Sequence, residues 1–94
     1  TELKRLDLAR NSITDAGARA LALALSLNTS VEYLNLESNV VAEKGGKALC
    51  LAVASNSRLS YLNISHNAIS STGQQELRDV WTKAHGGSQL GLHL

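Results

Sequence analysis

Apolar and polar residues alternate at three places along the chain, in RLDLARN (5–11), YLNLESN (33–39) and YLNISHN (61–67). A period of two sends successive side chains to opposite faces of an extended backbone. Each stretch therefore predicts a short strand with one buried face, around Leu6 and Leu8, Leu34 and Leu36, or Leu62 and Ile64. After each strand the pattern changes. From Asp15 to Leu27 and from Glu43 to Ser55 the chain is rich in Ala and Leu and predicts helices. Thr14-Asp15, Ala42-Glu43 and Ser70-Ser71 supply start signals, the last for a third helix.

Displacing the chain by 28 residues superposes three copies of this strand-helix unit. Leu3, Leu6, Leu8, Asn11 and Ile13 coincide with Val31, Leu34, Leu36, Asn39 and Val41, and these with Leu59, Leu62, Ile64, Asn67 and Ile69. Gly17, Gly45 and Gly73 coincide further on, as do Leu21, Leu49 and Leu77. The spacing is L-x-x-L-x-L-x-x-N-x-L. On these residues the whole chain resembles leucine-rich repeats of the long, ribonuclease-inhibitor-like type, which also occur in NOD-like receptors and tropomodulin-like proteins.

The fold that follows is an α/β leucine-rich-repeat solenoid. Strands and helices that alternate in one direction make a parallel sheet through right-handed crossovers, with strands on the concave side and helices on the convex side. One unit cannot bury its own apolar face, so successive units stack. The expected organisation is a single segment, 1–94, with units 1–28, 29–56 and 57–84 and a terminal strand within 85–94. In that last stretch Leu90 and Leu92 restore the strand leucines at the 28-residue spacing.

The two ends differ in chemistry. Ala16, Ala18, Ala20, Ala22 and Ala24 leave small apolar atoms on nearly every side of the first helix, as if an earlier unit packed there. Residues 1–94 are thus expected to be the carboxyl-terminal part of a longer array, prone to self-association through an uncapped amino-terminal end. Gln74, Glu76 and Arg78 make the third helix more polar, which suits a terminal unit.

Composition narrows the function. Nine basic and eight acidic residues leave a net charge of +1, without the basic footprint of a nucleic-acid binder. The longest apolar stretch, ALALALSL (20–27), falls short of the roughly 20 residues that span a bilayer. Cys50 is the only cysteine and no leader pattern is visible, so the setting is taken as cytoplasmic. The sequons at Asn28 and Asn63 would matter only in a secreted protein and are read as chance.

Several motifs have sharp readings that the repeat weakens. Ser65 and His66 are adjacent in a strand-to-turn segment, where neighbouring side chains diverge and no third group orients a base. His66 and His93 fall in neighbouring units, but a zinc site wants three or four ligands and Cys50 belongs to the helical side. GGK (45–47) lacks the phosphate-loop glycine, Val41 standing in its place. Its two glycines are expected to allow close helix packing. No catalytic residue, metal or cofactor is expected, and the chain is read as non-enzymatic.

Asn11, Asn39 and Asn67 sit where the chain leaves each strand, and an amide can serve the backbone groups that such a turn strands. They are expected to form a structural ladder. Stacking also builds concave columns: Arg5, Tyr33, Tyr61, Gln89; then Asp7, Asn35, Asn63, Gly91; then Ala9, Glu37, Ser65, His93. Tyr and Arg are enriched at binding hot spots, and the family resemblance implies that concave residues dock protein ligands. Arg5, Asp7, Tyr33, Asn35, Glu37, Tyr61 and Asn63 are therefore the expected contact surface of a protein-interaction module in a scaffold or sensor protein. The alternative is a structural or capping segment that holds a neighbouring domain through an apolar convex stripe of Leu23, Leu27 and Leu51.

Overall fold

The alternation around Leu6, Leu34 and Leu62 becomes three short strands in the computed structural model, which describes residues 3–27, 30–56 and 58–94. Arg5–Asp7 (β1), Tyr33–Asn35 (β2) and Tyr61–Asn63 (β3) are followed by helices Asp15–Leu27 (α1), Glu43–Ser55 (α2) and Ser71–Ala84 (α3). A last strand, Leu92–His93 (β4), completes a parallel sheet in the order β1-β2-β3-β4. The register pairs Arg5 with Tyr33 and Tyr33 with Tyr61, so equivalent residues of successive units stand side by side. Asn28 lies outside the described residues.

The core fills the space between sheet and helices. Leu34, Leu36, Leu62 and Ile64 point inward from the strands and meet Leu49, Leu77, Val53 and Trp81 of the helices, all buried. With no Phe or Met available, aliphatic side chains of similar size repeat from unit to unit and give each helix nearly the same seat. Gly45 shows how close the helices come. A Cβ there would lie 2.7 Å from Asp15 Oδ1 and 2.9 Å from the Ala18 methyl, so a side chain would push α2 off α1.

Between strand and helix the backbone has no ladder of its own, and asparagine supplies one. Asn39 Oδ1 accepts from Asn11 N–H at 2.9 Å and Ile13 N–H at 2.8 Å, while its Nδ2 donates to Leu8 O at 3.0 Å and Leu36 O at 2.9 Å. Asn67 Oδ1 accepts from Val41 N–H at 2.9 Å, and its Nδ2 donates to Leu36 O at 2.9 Å and Ile64 O at 3.0 Å. Each reaches back into the preceding unit. Asn11 instead turns on itself, its Nδ2 donating to Ala9 O at 3.0 Å. The residue before each asparagine, Arg10, Ser38 or His66, is left-handed, with φ of 59°, 58° and 57°. This reversal ends each strand.

The terminal strand departs from the 28-residue spacing. Leu92, not Leu90, pairs with Leu62, and His93 pairs with Asn63. Leu92 and Leu94 pack on the core, whereas Leu90 is 84% exposed. The two-residue slip has a physical origin in the third unit. Trp81 occupies the position of Leu25 and Val53, is fully buried, and donates its indole N–H to Leu90 O at 3.0 Å. His85 stacks on that indole at 4.0 Å, and its ring nitrogens lie 2.8 Å from Trp81 O and 2.7 Å from Leu59 O. A neutral ring donates to one of these carbonyls and a protonated ring to both. The chain then swings out through Gly86 and Gly87 and returns at Gly91, where φ is +89° and a Cβ would strike the Ser60 carbonyl oxygen.

Truncating Asn39 should cost more than truncating Asn11, because only the former serves main-chain groups of two units. Urea unfolding of Asn39→Ala is expected to show a loss of about 1–3 kcal/mol, and Asn11→Ala a loss below about 1 kcal/mol.

Candidate protein-binding face

Parallel pairing spaces neighbouring strands by about 4.8 Å, close to the preferred separation of stacked rings. The first outward column exploits this. The Arg5 guanidinium carbon lies 4.0 Å from the Tyr33 ring centroid, and the Tyr33 and Tyr61 rings stack at 4.2 Å with 7° between their planes. The His93 ring leans against the end of this stack, 4.9 Å from Tyr61 and tilted by 40°. The neighbour of Tyr61 is thus the His93 ring and not Gln89: the slipped terminal strand sets His93 opposite Asn63, in the second column, from which its ring leans onto Tyr61. Both tyrosines are half-buried, with one flank on the sheet and the rim open. Desolvation, followed by the charge and hydrogen bond of Tyr61, holds the Tyr33 phenol above its ordinary value, against the pull of Arg5. It stays neutral at physiological pH.

The second column has a different task. Asp7 Oδ1 accepts from Ala9 N–H at 3.1 Å, Asn35 Oδ1 from Glu37 N–H at 2.9 Å, and Asn63 Oδ1 from Ser65 N–H at 2.9 Å. Each side chain closes a turn two residues ahead. Asn35 and Asn63 are only 9% exposed, and Asn63 Nδ2 also donates to the Tyr61 hydroxyl at 3.3 Å. The two asparagines therefore brace the aromatic column more than they present themselves. Glu37 remains half-buried at the rim.

The sharp chemical readings find little geometry. Ser65 uses its main chain to bond Asn63 and Ser38, and His66 is an exposed left-handed turn residue. His93 pairs in register with Asn63, three residues away from His66 in the repeat. Among the described residues no group of three or more His, Cys, Asp or Glu side chains is placed to hold a metal ion. Among the described residues no helix is long and apolar enough to cross a membrane.

On the helical side Leu23, Leu27 and Leu51 are 63%, 79% and 70% exposed. Leu23 and Leu51 line one open groove of about 580 Å³ between α1 and α2, together with Ala16, Arg19, Ala20 and Ser55. Leu27 is outside that groove.

Comparison with known families is decisive for the architecture. A model described as a leucine-rich repeat matches residues 1–22, 27–50 and 55–77, one match for each strand-helix unit. The chain belongs to the leucine-rich repeat family. No curated protein matches it. Leucine-rich repeats generally mediate protein–protein contact and are typically non-enzymatic.

Within this leucine-rich repeat array, three supporting devices escaped the sequence reading. Asp15 Oδ1 accepts from Ala42 N–H at 2.7 Å, and Glu43 Oε1 from Ser70 N–H at 2.5 Å, so each helix's first acid ties down the start of the next. The signal was the acidic residue recurring after 28 positions. Buried Asn56 donates to Leu25 O at 2.7 Å, joining the ends of α1 and α2. Cys50 is buried between helices, and burial, then Glu76, pushes its thiol up to about 11 against the opposing pull of Lys47.

The protonated thiol is thus the folded form, and its contribution to stability is intact below its ordinary value of 9.0 and lost as pH rises from there through about 11. At pH 8 the native repeat array should react with a maleimide roughly a hundredfold more slowly than the urea-unfolded chain, from the thiolate fraction alone. Equal labelling rates would show that Cys50 is neither buried nor shifted.

Proposed function

We propose that this leucine-rich repeat segment is a non-enzymatic protein-interaction module of a cytoplasmic scaffold or sensor protein, of the ribonuclease-inhibitor-like type, and that it binds its partner through the sheet side. The observation that supports this reading most is the aromatic column. Tyr33 and Tyr61 are rigid rings with few rotamers to freeze on binding, flanked by Arg5 at one end and His93 at the other. Asp7, Asn35 and Asn63 hold the strand ends beneath them, and Glu37 adds a negative charge at the rim. A partner that offers an apolar or aromatic anchor with an acidic group beside it matches this surface.

A second reading is supported by the groove between α1 and α2. Leu23 and Leu51 are exposed at equivalent positions, and a neighbouring domain could cover both. The two readings assign binding to opposite sides of the array.

Cell extract passed over the immobilised chain, with bound proteins identified by mass spectrometry, separates them. The Tyr33→Ala/Tyr61→Ala variant is expected to weaken capture of the principal partner by a factor of roughly 30 or more, the range of hot-spot residues, with circular dichroism unchanged. Leu23→Glu/Leu51→Glu should leave capture intact. The reverse pattern would transfer the function to the helical side.

A further inference from the structure

One residue of the second outward column occurs twice with a strand on either side. Asn35 and Asn63 stand opposite one another on β2 and β3, the two inner strands of the sheet, and each is 9% exposed. The same bond orients both amides. A main-chain N–H two residues ahead, of Glu37 or Ser65, needs an oxygen and finds Oδ1 at 2.9 Å. The Nδ2 group is left over in each, and there the equivalence ends. Asn63 Nδ2 donates to the Tyr61 hydroxyl at 3.3 Å. Among the described residues Asn35 Nδ2 has no protein partner, although Tyr33 stands where Tyr61 does.

This free donor is held in place and open to the outside. Among the described residues no fully buried side-chain nitrogen or oxygen lacks a partner, so Asn35 Nδ2 reaches the surface from a residue that is otherwise enclosed. With its oxygen pinned, the amide cannot turn to hide the group. A protein that covers this face must bring an acceptor to it or leave a desolvated N–H unsatisfied. Neighbouring charge selects the acceptor. The carboxylate of Glu37, two residues further along the chain and half-buried at the rim, repels a second carboxylate and tolerates a neutral carbonyl oxygen.

We propose that Asn35 determines the specificity of the sheet-side interface, its amide N–H donating to a neutral main-chain carbonyl oxygen of the partner protein beside Tyr33. The proposal rests on the sheet-side reading and adds the chemistry that one position of that surface requires. Tyr33 and Tyr61 supply contact area, which suits many apolar surfaces. Asn35 discriminates among them, because a protein without an acceptor within reach strips water from the N–H and gives nothing in return. Asn63, its Nδ2 engaged by Tyr61, makes no such demand.

The first unit supplies the substitution that tests this. There Asp7 fills the position paired with Asn35, and its Oδ1 accepts from Ala9 N–H at 3.1 Å, so Asn35→Asp keeps the turn while replacing the donor with an acceptor. The probe is the principal protein captured by the immobilised wild-type chain, identified by mass spectrometry and purified. Its affinity for each variant is measured by calorimetry, with circular dichroism confirming each fold. Asn35→Asp is expected to weaken binding roughly tenfold or more, and Asn63→Asp, the same change on the next strand, less than about threefold. Equal losses would assign the effect to added charge and overturn the proposal, as would no loss in either. If Tyr33→Ala/Tyr61→Ala abolishes binding while Asn35→Asp does not weaken it, only the role of Asn35 falls. A partner indifferent to every one of these variants, or no captured partner, removes the sheet-side reading and the role of Asn35 together.

Discussion

Everything on the surface of this molecule depends on the side chains of Asn39 and Asn67, which bond the main chain of two units at once. A short strand contributes few ladder bonds, and a three-residue strand cannot hold register by itself. The asparagine pins the loop after one strand to the loop before it. Only an amide suits this position, since it must accept from N–H groups on one side and donate to carbonyl oxygens on the other. Once the loops are locked, Leu34 faces Leu62, the helices settle against them, and Tyr33 has no choice but to lie over Tyr61. The stacked rings are thus a product of register. Their own attraction, about 0.5–1.5 kcal/mol, reinforces it.

The division between core and surface was legible because the repeat is its own alignment. Strands, helices, their order and the parallel sheet all follow from leucines recurring in phase, and each of the three helices begins at the position its start signal marks. The terminal strand was misplaced by two residues for a reason that a periodic argument cannot contain. Its position is set by the single Trp81, whose bulk and indole N–H displace the returning chain, and by Gly91, the residue that can pass the Ser60 carbonyl. A feature that occurs once leaves no period. For the same reason counting puts His93 in the third column, whereas its backbone pairs with Asn63 of the second and its ring leans onto Tyr61 of the first.

The candidate site was legible in outline and not in its division of labour. That Arg5, Tyr33 and Tyr61 form one column follows from counting, whereas the role of Asp7, Asn35 and Asn63 does not. In the sequence they look like a polar, contact-ready row. In space their oxygens are engaged by N–H groups two residues ahead, and two of the three are buried. Asx turns of this kind leave a weak trace, because the same residue types also serve exposed surfaces. The carboxylates of Asp15 and Glu43 were missed for a related reason. An acid in the first turn of a helix is explained locally by the helix dipole, and its bond to the next unit stays hidden until the units are stacked.

The array is also polar along its length. Every bridge named above reaches from one unit to its neighbour, whereas Asn11, in the first described unit, donates within its own turn. At the β4 end the core is covered by bulk: one indole, a stacked imidazole whose two nitrogens lie against carbonyl oxygens, and a strand of two residues. Such a cap buries the last unit without offering a long edge, which is how a sheet normally avoids unwanted pairing.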